Sequence, residues 1–380
     1  MSGRSLGGYE ITSAVNPELA HDRPNIGIVT DVLVDKILFS NAGDQPLRAT
    51  SVQFQHKSQT HTVHATKEVI LAAGAFGSPN ILERSGLGNG DHLRGFGIEC
   101  ILENPSIGEN LQEHFMCGVS FEVHDDIETN DNFRDPAYAQ AVMQQYQKHR
   151  TGPLTGTSAC FAYMPLLDED KPGQATPKQL LDDYHSEPRD TTSPVQTILE
   201  AFTKKVLSHP SEASANLCKY ITIMTALAHL SRGSIHITSS SPSAEPAIDP
   251  RYYTHPLGTE LMARQVKLLD RITKTPPLSD LIKPNGRRIP KWAAFDTLDD
   301  MKKLLRESCM SNYHPCGTVA MLPRDKGGVV DPRLRVYGVE GLRVCDASIM
   351  PVITRGNLMT SVYAIAEKGA DMIKEDLGVL

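Results

Sequence analysis

The run Val69-Ile70-Leu71-Ala72-Ala73-Gly74-Ala75-Phe76-Gly77-Ser78-Pro79-Asn80-Ile81-Leu82-Glu83-Arg84-Ser85-Gly86 sets the architecture. Its first part is a short, continuous apolar stretch ending in small residues, the pattern of a strand buried on both faces of a parallel sheet. Ser78 offers an N-cap side chain, Pro79 suits a first helical position and Gly86 a C′ position, so a helix is predicted over 78–85. A strand, a glycine turn and a helix make half of a nucleotide-binding unit. Far along the chain, Leu342-Arg343-Val344-Cys345-Asp346 is a second apolar run, ending in an acid. The small or acidic strand ends Gly74 and Asp346 must both approach one ligand if the two runs are neighbouring parallel strands, and that is the expectation.

Outward from this nucleus the pattern changes. Ile26, Ile28, Val32 and Val34 alternate and continue into Lys36-Ile37-Leu38-Phe39, while Val52-Gln53-Phe54 and His61 to Ala65 complete a small β-meander, with a turn at Asn41-Ala42-Gly43-Asp44. Residues 115–250 are less regular, and 167–194, rich in Asp, Pro, Thr and Lys, are expected to form a long surface excursion. Leu257, Leu261, Met262, Val266, Leu269 and Ile272 recur at helical spacing. Asp296 is positioned to cap a second helix with the apolar face Leu298, Met301, Leu304 and Leu305. A last helix from about Met359 to Lys374 is expected to bury Val362, Ile365, Ala366 and Ile373. The fold class is therefore mixed α/β.

Composition narrows the function. The 380 residues carry 38 basic and 45 acidic side chains, a net charge of −7, which provides no basic footprint for nucleic acid. No apolar run approaches the roughly 18 residues of a membrane span. Met1 to Tyr9 shows no secretory signal, so a cytoplasmic location is the expectation for the chain as given. Seven scattered cysteines without a C-x-x-C pattern point away from a zinc ribbon or a disulfide framework. His61 and His64 resemble a metal pair, but odd spacing on a strand sends them to opposite faces, so no metal is expected.

Three blocks in order give the chain a resemblance to the glucose–methanol–choline (GMC) family of FAD-dependent oxidoreductases. The first is Gly74 to Gly88, as quoted above with Leu87-Gly88 added. The second is Ile107-Gly108-Glu109-Asn110-Leu111-Gln112-Glu113-His114. The third runs from Asn312-Tyr313-His314-Pro315-Cys316-Gly317-Thr318 through Val330-Asp331-Pro332-Arg333-Leu334 and Asp346-Ala347-Ser348 to Gly356-Asn357 and Ala366-Glu367-Lys368. Together they cover most of the chain, with 120–230 matching least. The family pattern opens with a strand, a G-x-G-x-x-G turn and a helix that hold the FAD pyrophosphate. This sequence has no such motif, and Met1 aligns about a third of the way into the pattern, as in a gene fragment, a processed piece or a shortened homologue.

The resemblance implies roles residue by residue. His314 would be the catalytic base, since a near-neutral histidine can take a hydroxyl proton while hydride leaves for the flavin; Pro315 confines it to extended backbone. Asn357 would be its hydrogen-bonding partner toward substrate hydroxyl or alkoxide, although Gly356-Asn357 is also a plain turn before a helix. Leu358 and Met359 would offer backbone N–H groups of a helix N-terminus to the flavin. Asp346 and Ala347 would approach the ribityl and pyrophosphate region, and Val34 the adenine, where ordinary core packing is the competing reading. FAD is the implied cofactor and a small-molecule alcohol the implied substrate, with oxygen or a quinone as electron acceptor. His114 lies in a matching block without a role of its own, and Cys316 is expected to be a buried, inert thiol.

The implied organisation is a partial Rossmann-like FAD domain from 1–112, an antiparallel-sheet substrate domain over 113–308, and a C-terminal FAD-binding and catalytic part over 309–380. Two other readings compete with the flavoprotein alcohol oxidase or dehydrogenase. A flavin-free acid–base catalyst (cyclase, dehydratase or isomerase) would explain the missing glycine motif, and a non-catalytic truncated homologue would expose apolar surface.

Overall fold

The structure is a computed structural model describing residues 25–40, 46–127, 129–155, 159–164, 211–217, 220–228 and 230–379, together with Gln179 and Asp183. The turn expected at 41–44 and the excursion expected at 167–194 lie outside these described stretches. The chain runs through β1 (Val32–Ser40), β2 (Arg48–His56), β3 (Gln59–His64), β4 (Val69–Leu71), α1 (Gly74–Arg84), β5 (Leu87–Gly88), α2 (Gly90–Gly95), β6 (Leu102–Glu103), β7 (His114–Glu122), α3 (Pro136–His149), β8 (Ala159–Met164), β9 (Ser211–Leu217) and β10 (Tyr220–Ala228). It continues through β11 (Ser234–His236), β12 (Ala247–Asp249), α4 (Pro256–Thr273), β13 (Arg288–Ile289), α5 (Leu298–Ser308), β14 (Met310–Ser311), β15 (Leu342–Val344) and α6 (Met359–Asp376). Two compact units form: Met1–Gln112 with Arg232–Pro250 and Pro315–Leu380, and Glu113–Ser231 with Arg251–His314.

In the first unit β4 and β15 pair in parallel, Leu342 opposite Val69 and Val344 opposite Leu71, the pairing expected from their small or acidic ends. β1, β2 and β3 form the antiparallel meander. Ile26 and Ile28 precede it, largely exposed, so the strand begins at Val32 and not at the first alternating residue. The core gathers Ile37, Leu71, Ile81, Leu82, Val330, Leu342, Val344 and Ile349.

Helix α1 starts four residues before the predicted Ser78. The Asp346 carboxylate at the end of β15 accepts hydrogen bonds from Gly74 N (3.0 Å) and Ser78 Oγ (2.5 Å), so the cap comes from another strand and Ser78 is free to enter the helix. Pro79 then sits inside the helix, where it cannot donate to the carbonyl of Ala75. Thr318 Oγ1 donates to that carbonyl instead, at 2.7 Å. The C-terminal end follows expectation: Gly86 has φ +86, and a Cβ there would lie 2.6 Å from the Glu99 carbonyl oxygen, so both backbone and space demand glycine. Ser85 Oγ accepts from Ile37 N (2.8 Å) and donates to Ile81 O, tying α1 to β1.

Helix α6 buries less than its sequence promises. Val362, Ile365 and Ile373 are half-buried and Ala366 is exposed; Gly369 is its only fully buried residue. The helix meets β15 through that glycine, where a Cβ would lie 2.6 Å from Cys345 Sγ. The contact line therefore runs through Ile365, Gly369 and Met372, one i, i+4, i+7 stripe. On the neighbouring strand β4, Ile70 is 46% exposed.

The second unit is built on an antiparallel sheet in the order β13-β7-β10-β9-β8, with β14 also on β7. Phe115, Cys117, Val119 and Phe121 of β7 point to one side with period two and are buried against α4 (Leu257, Leu261, Met262, Val266) and α5 (Met301, Leu304, Leu305). Helix α5 is capped by Thr297 and not by Asp296: Thr297 Oγ1 accepts from Asp300 N (3.2 Å), and Asp300 Oδ2 accepts from Thr297 N (3.0 Å). This reciprocal capping box satisfies two donors, which a lone aspartate one residue earlier cannot do.

Candidate active site

The loop that carries His314 is held from β7. β14 pairs Met310 with Met116 and Ser311 with Phe115, and Asn312 N donates to His114 O at 3.0 Å. Glu113, buried just before β7, completes the clamp: Oε1 accepts from His314 N (2.6 Å) and Oε2 from Ser311 Oγ (2.8 Å). The Tyr252 hydroxyl also hydrogen-bonds this carboxylate. Burial raises the Glu113 carboxyl above its usual range, while the bonds from His314, Ser311 and Tyr252 pull it back. Ser311 Oγ accepts from Tyr313 N (2.8 Å), and Tyr313 adopts φ +60, a left-handed conformation that a bulky residue keeps only when its surroundings hold it.

The half-buried His314 ring meets the buried His114 ring edge-on. The centroids are 5.2 Å apart, the planes cross at 83°, and the two Nδ1 atoms are 3.0 Å apart. Asn312 Nδ2 lies 3.3 Å from the same His314 nitrogen. Burial, and secondarily the His314 charge, push His114 down to about 3, so this ring is neutral near neutral pH.

The other residues singled out from sequence lie in the first unit. Val34 is half-buried on β1 against the core. Asp346 is buried, and both its carboxylate oxygens are engaged: Oδ2 as described, Oδ1 by Ser348 N at 2.7 Å. Ala347 follows at the carboxyl end of β15. Asn357 is exposed after Gly356 (φ +79). Leu358 is buried at the N-cap of α6, where its own side chain makes no cap bond, and Met359 is exposed; the N-terminal end of such a helix favours an anion. These features suit the flavin end of FAD. The buried Ser348 hydroxyl, without a hydrogen-bond partner among the described residues, adds a polar atom at the same strand end. A pyrophosphate cradle of the G-x-G-x-x-G type is absent from the sequence.

A second histidine cluster was not foreseen. His236 on β11 bridges two acids, Nδ1 to Glu83 Oε1 at 2.7 Å and Nε2 to Glu109 Oε1 at 3.2 Å, while Glu83 Oε2 accepts from Ile237 N at 2.8 Å. Glu109 and Glu83 raise His236 to about 9, so it is an imidazolium. His92 stands beside it, its Nε2 3.1 Å from Ile237 O. Glu83, His92 and His236 form a group of metal-ligating type, in which the Glu83 carboxylate, both His236 nitrogens and His92 Nε2 have protein partners. The 2.7 Å Glu83–His236 separation is that of a hydrogen bond. His61 and His64 stay on β3 as expected, both exposed, His64 beside Ser51 Oγ (3.1 Å) and His61 stacked on Phe54. Cys316 is buried. Among the described residues no helix is long and apolar enough to cross a membrane.

Comparison with known proteins matches residues 12–116 and 229–366 to family models described as GMC oxidoreductase. The dehydrogenase mpl7 of Monascus purpureus is 33% identical over 393 residues, covering 94% of this chain and 62% of its own length. An FAD-dependent oxidoreductase from Chaetomium thermophilum superposes with a TM-score of 0.83 at 28% identity, over 96% of this chain and 64% of that one. A fungal aryl-alcohol oxidase gives 0.76 at 27% identity, over 91% and 60%. The chain thus spans less than two thirds of the length of these relatives, and the mixed α/β fold is that of FAD-binding flavoprotein oxidoreductases. The chain belongs to the GMC oxidoreductase family.

Proposed function

We propose that this polypeptide carries the catalytic part of a flavoprotein oxidoreductase that oxidises a small-molecule alcohol. His314 is the base and Asn357 orients the substrate hydroxyl. Leu358 and Met359, at the N-terminus of α6, would hold the flavin end of FAD, with Asp346 and Ala347 contributing at the strand end and Val34 at the adenine. When bound, FAD accepts the hydride. His314 takes the hydroxyl proton, a step worth roughly 10²–10⁴-fold. Asn357 holds the oxygen as it becomes an alkoxide, and the α6 N-terminus favours the negative charge of reduced flavin. In this reading the first unit serves the cofactor and the second the substrate. The observation that carries it is the Glu113 clamp, which fixes the backbone of one half-buried histidine through three converging hydrogen bonds. Family membership favours this chemistry over a flavin-free cyclase, dehydratase or isomerase.

The test is anaerobic. The chain is mixed with a large excess of FAD and benzyl alcohol, and loss of the oxidised-flavin absorbance is followed. Slow, alcohol-dependent bleaching is expected, at least 10²-fold slower in His314→Ala. Equal rates in the two proteins would remove His314 from the reaction.

A further inference from the structure

The His114–His314 contact has consequences for which nitrogen of His314 can act, and the inference rests on His314 being the base. One hydrogen lies between the two Nδ1 atoms, which are 3.0 Å apart. In one arrangement His114 donates; His314 then carries its proton on Nε2 and has no free lone pair there. If that ring gained a proton it would have to do so on Nδ1, against the N–H of His114, donor facing donor. In the other arrangement His314 donates from Nδ1 and keeps the Nε2 lone pair. Taking up a proton on Nε2 then leaves the Nδ1–H bond in place and makes it charge-assisted. Only this second arrangement lets His314 become an imidazolium without breaking the contact. Asn312 presents Nδ2 to this nitrogen, and the second arrangement requires the amide turned over so that Oδ1 accepts from Nδ1–H; the orientation of an amide is assigned from its partners.

We propose that His114 is a positioning residue: its unprotonated Nδ1 accepts a hydrogen bond from His314 Nδ1–H and so fixes Nε2 of His314 as the proton-accepting nitrogen. The two side chains at the start of β7 divide the work. Glu113 fixes the backbone of the 311–314 loop, and His114 fixes the tautomer of the ring. Burial suits His114 to this task, since a ring that stays neutral always has one nitrogen free to accept. In the proton step the O–H bond of the substrate breaks and the N–H bond on His314 Nε2 forms. His114 gains and loses nothing.

The test needs no flavin, so it can fail independently of the proposed oxidation. The full chain is labelled with ring-¹⁵N histidine, His314 is assigned with His314→Gln, and ring spectra are recorded at pH 7.5 for the wild type, His114→Phe and His114→Asn. The wild type is expected to show protonated Nδ1 and unprotonated Nε2 at His314. His114→Phe should move His314 toward the Nε2–H form, and His114→Asn, whose amide oxygen takes the place of Nδ1, should restore the wild-type pattern. A wild-type His314 with the proton on Nε2 overturns the proposal even if no variant folds. So does a pattern unchanged in a folded His114→Phe. If the tautomer is as stated but alcohol never bleaches flavin, the proposed oxidation fails and the positioning role stands.

Discussion

Two histidine clusters among the described residues use the same side chain in opposite ways. In the first unit His236 lies between Glu109 and Glu83 and is held as a cation; in the second, His114 lies buried against another histidine and is held neutral. The difference is the number of carboxylates within hydrogen-bond distance of the ring. Two oppositely charged partners outweigh desolvation for His236, whereas for His114 desolvation acts with a like-charged neighbour in the same direction. A charged, doubly bonded histidine is committed to tying β11 to Glu83 of α1 and to Glu109. A neutral one keeps a lone pair with which to accept a hydrogen bond from the neighbouring ring.

Substitution should separate the two first. His236→Ala leaves the fully buried Glu83 carboxylate without its cation and should cost about 3–5 kcal/mol in denaturant unfolding. His114→Phe removes a single neutral hydrogen bond and should cost only about 0.5–1.5 kcal/mol. Equal losses would erase the distinction.

The pH dependence sharpens it. The folded state keeps the His236 proton above 6.5, so this contribution is complete below 6.5 and is lost as pH rises through about 9. The folded state resists protonating His114, so stability is lost as pH falls from 6.5 toward about 3. Melting temperature should therefore decline on both sides, and His236→Gln should flatten the alkaline side alone.

Within the first unit, Thr318→Val should cost about 1–3 kcal/mol, because it strands the Ala75 carbonyl that Pro79 cannot serve. The smallest effect expected is that of FAD on melting. Ligand stabilisation follows RT ln(1 + [L]/Kd), and without a pyrophosphate cradle of the usual type the affinity should be weak enough to leave Tm almost unmoved at micromolar FAD. Flavin retained stoichiometrically through purification would mean that other residues bind the phosphates.

Much of this was legible in the sequence. The parallel pairing of 69–71 with 342–344 followed from two apolar runs with small or acidic ends, and the stripe on α4 from its spacing. What was not legible depends on distant partners. Nothing local indicates that Asp346 caps α1 in place of Ser78, or that Thr318 repairs the gap left by Pro79. Gly369 defines the docking line of α6 because Cys345 lies against it, a fact that hydrophobic periodicity does not encode. Glu113 and His114 were in view within a quoted block, yet their roles appear only when β14 brings Ser311, Asn312 and His314 onto the start of β7. Glu83, Glu109 and His236 are more than a hundred residues apart at the extremes and signal nothing singly.

The most direct test of this division of roles is a pH titration of the histidine ring resonances in the intact chain, assigned by His236→Gln and His114→Asn. His236 is expected to stay protonated through neutral pH and to titrate near 9, while His114 remains neutral down to the acid limit of the folded state. A His236 that is neutral at pH 7, or a His114 that titrates at the ordinary value of 6.5, would contradict it.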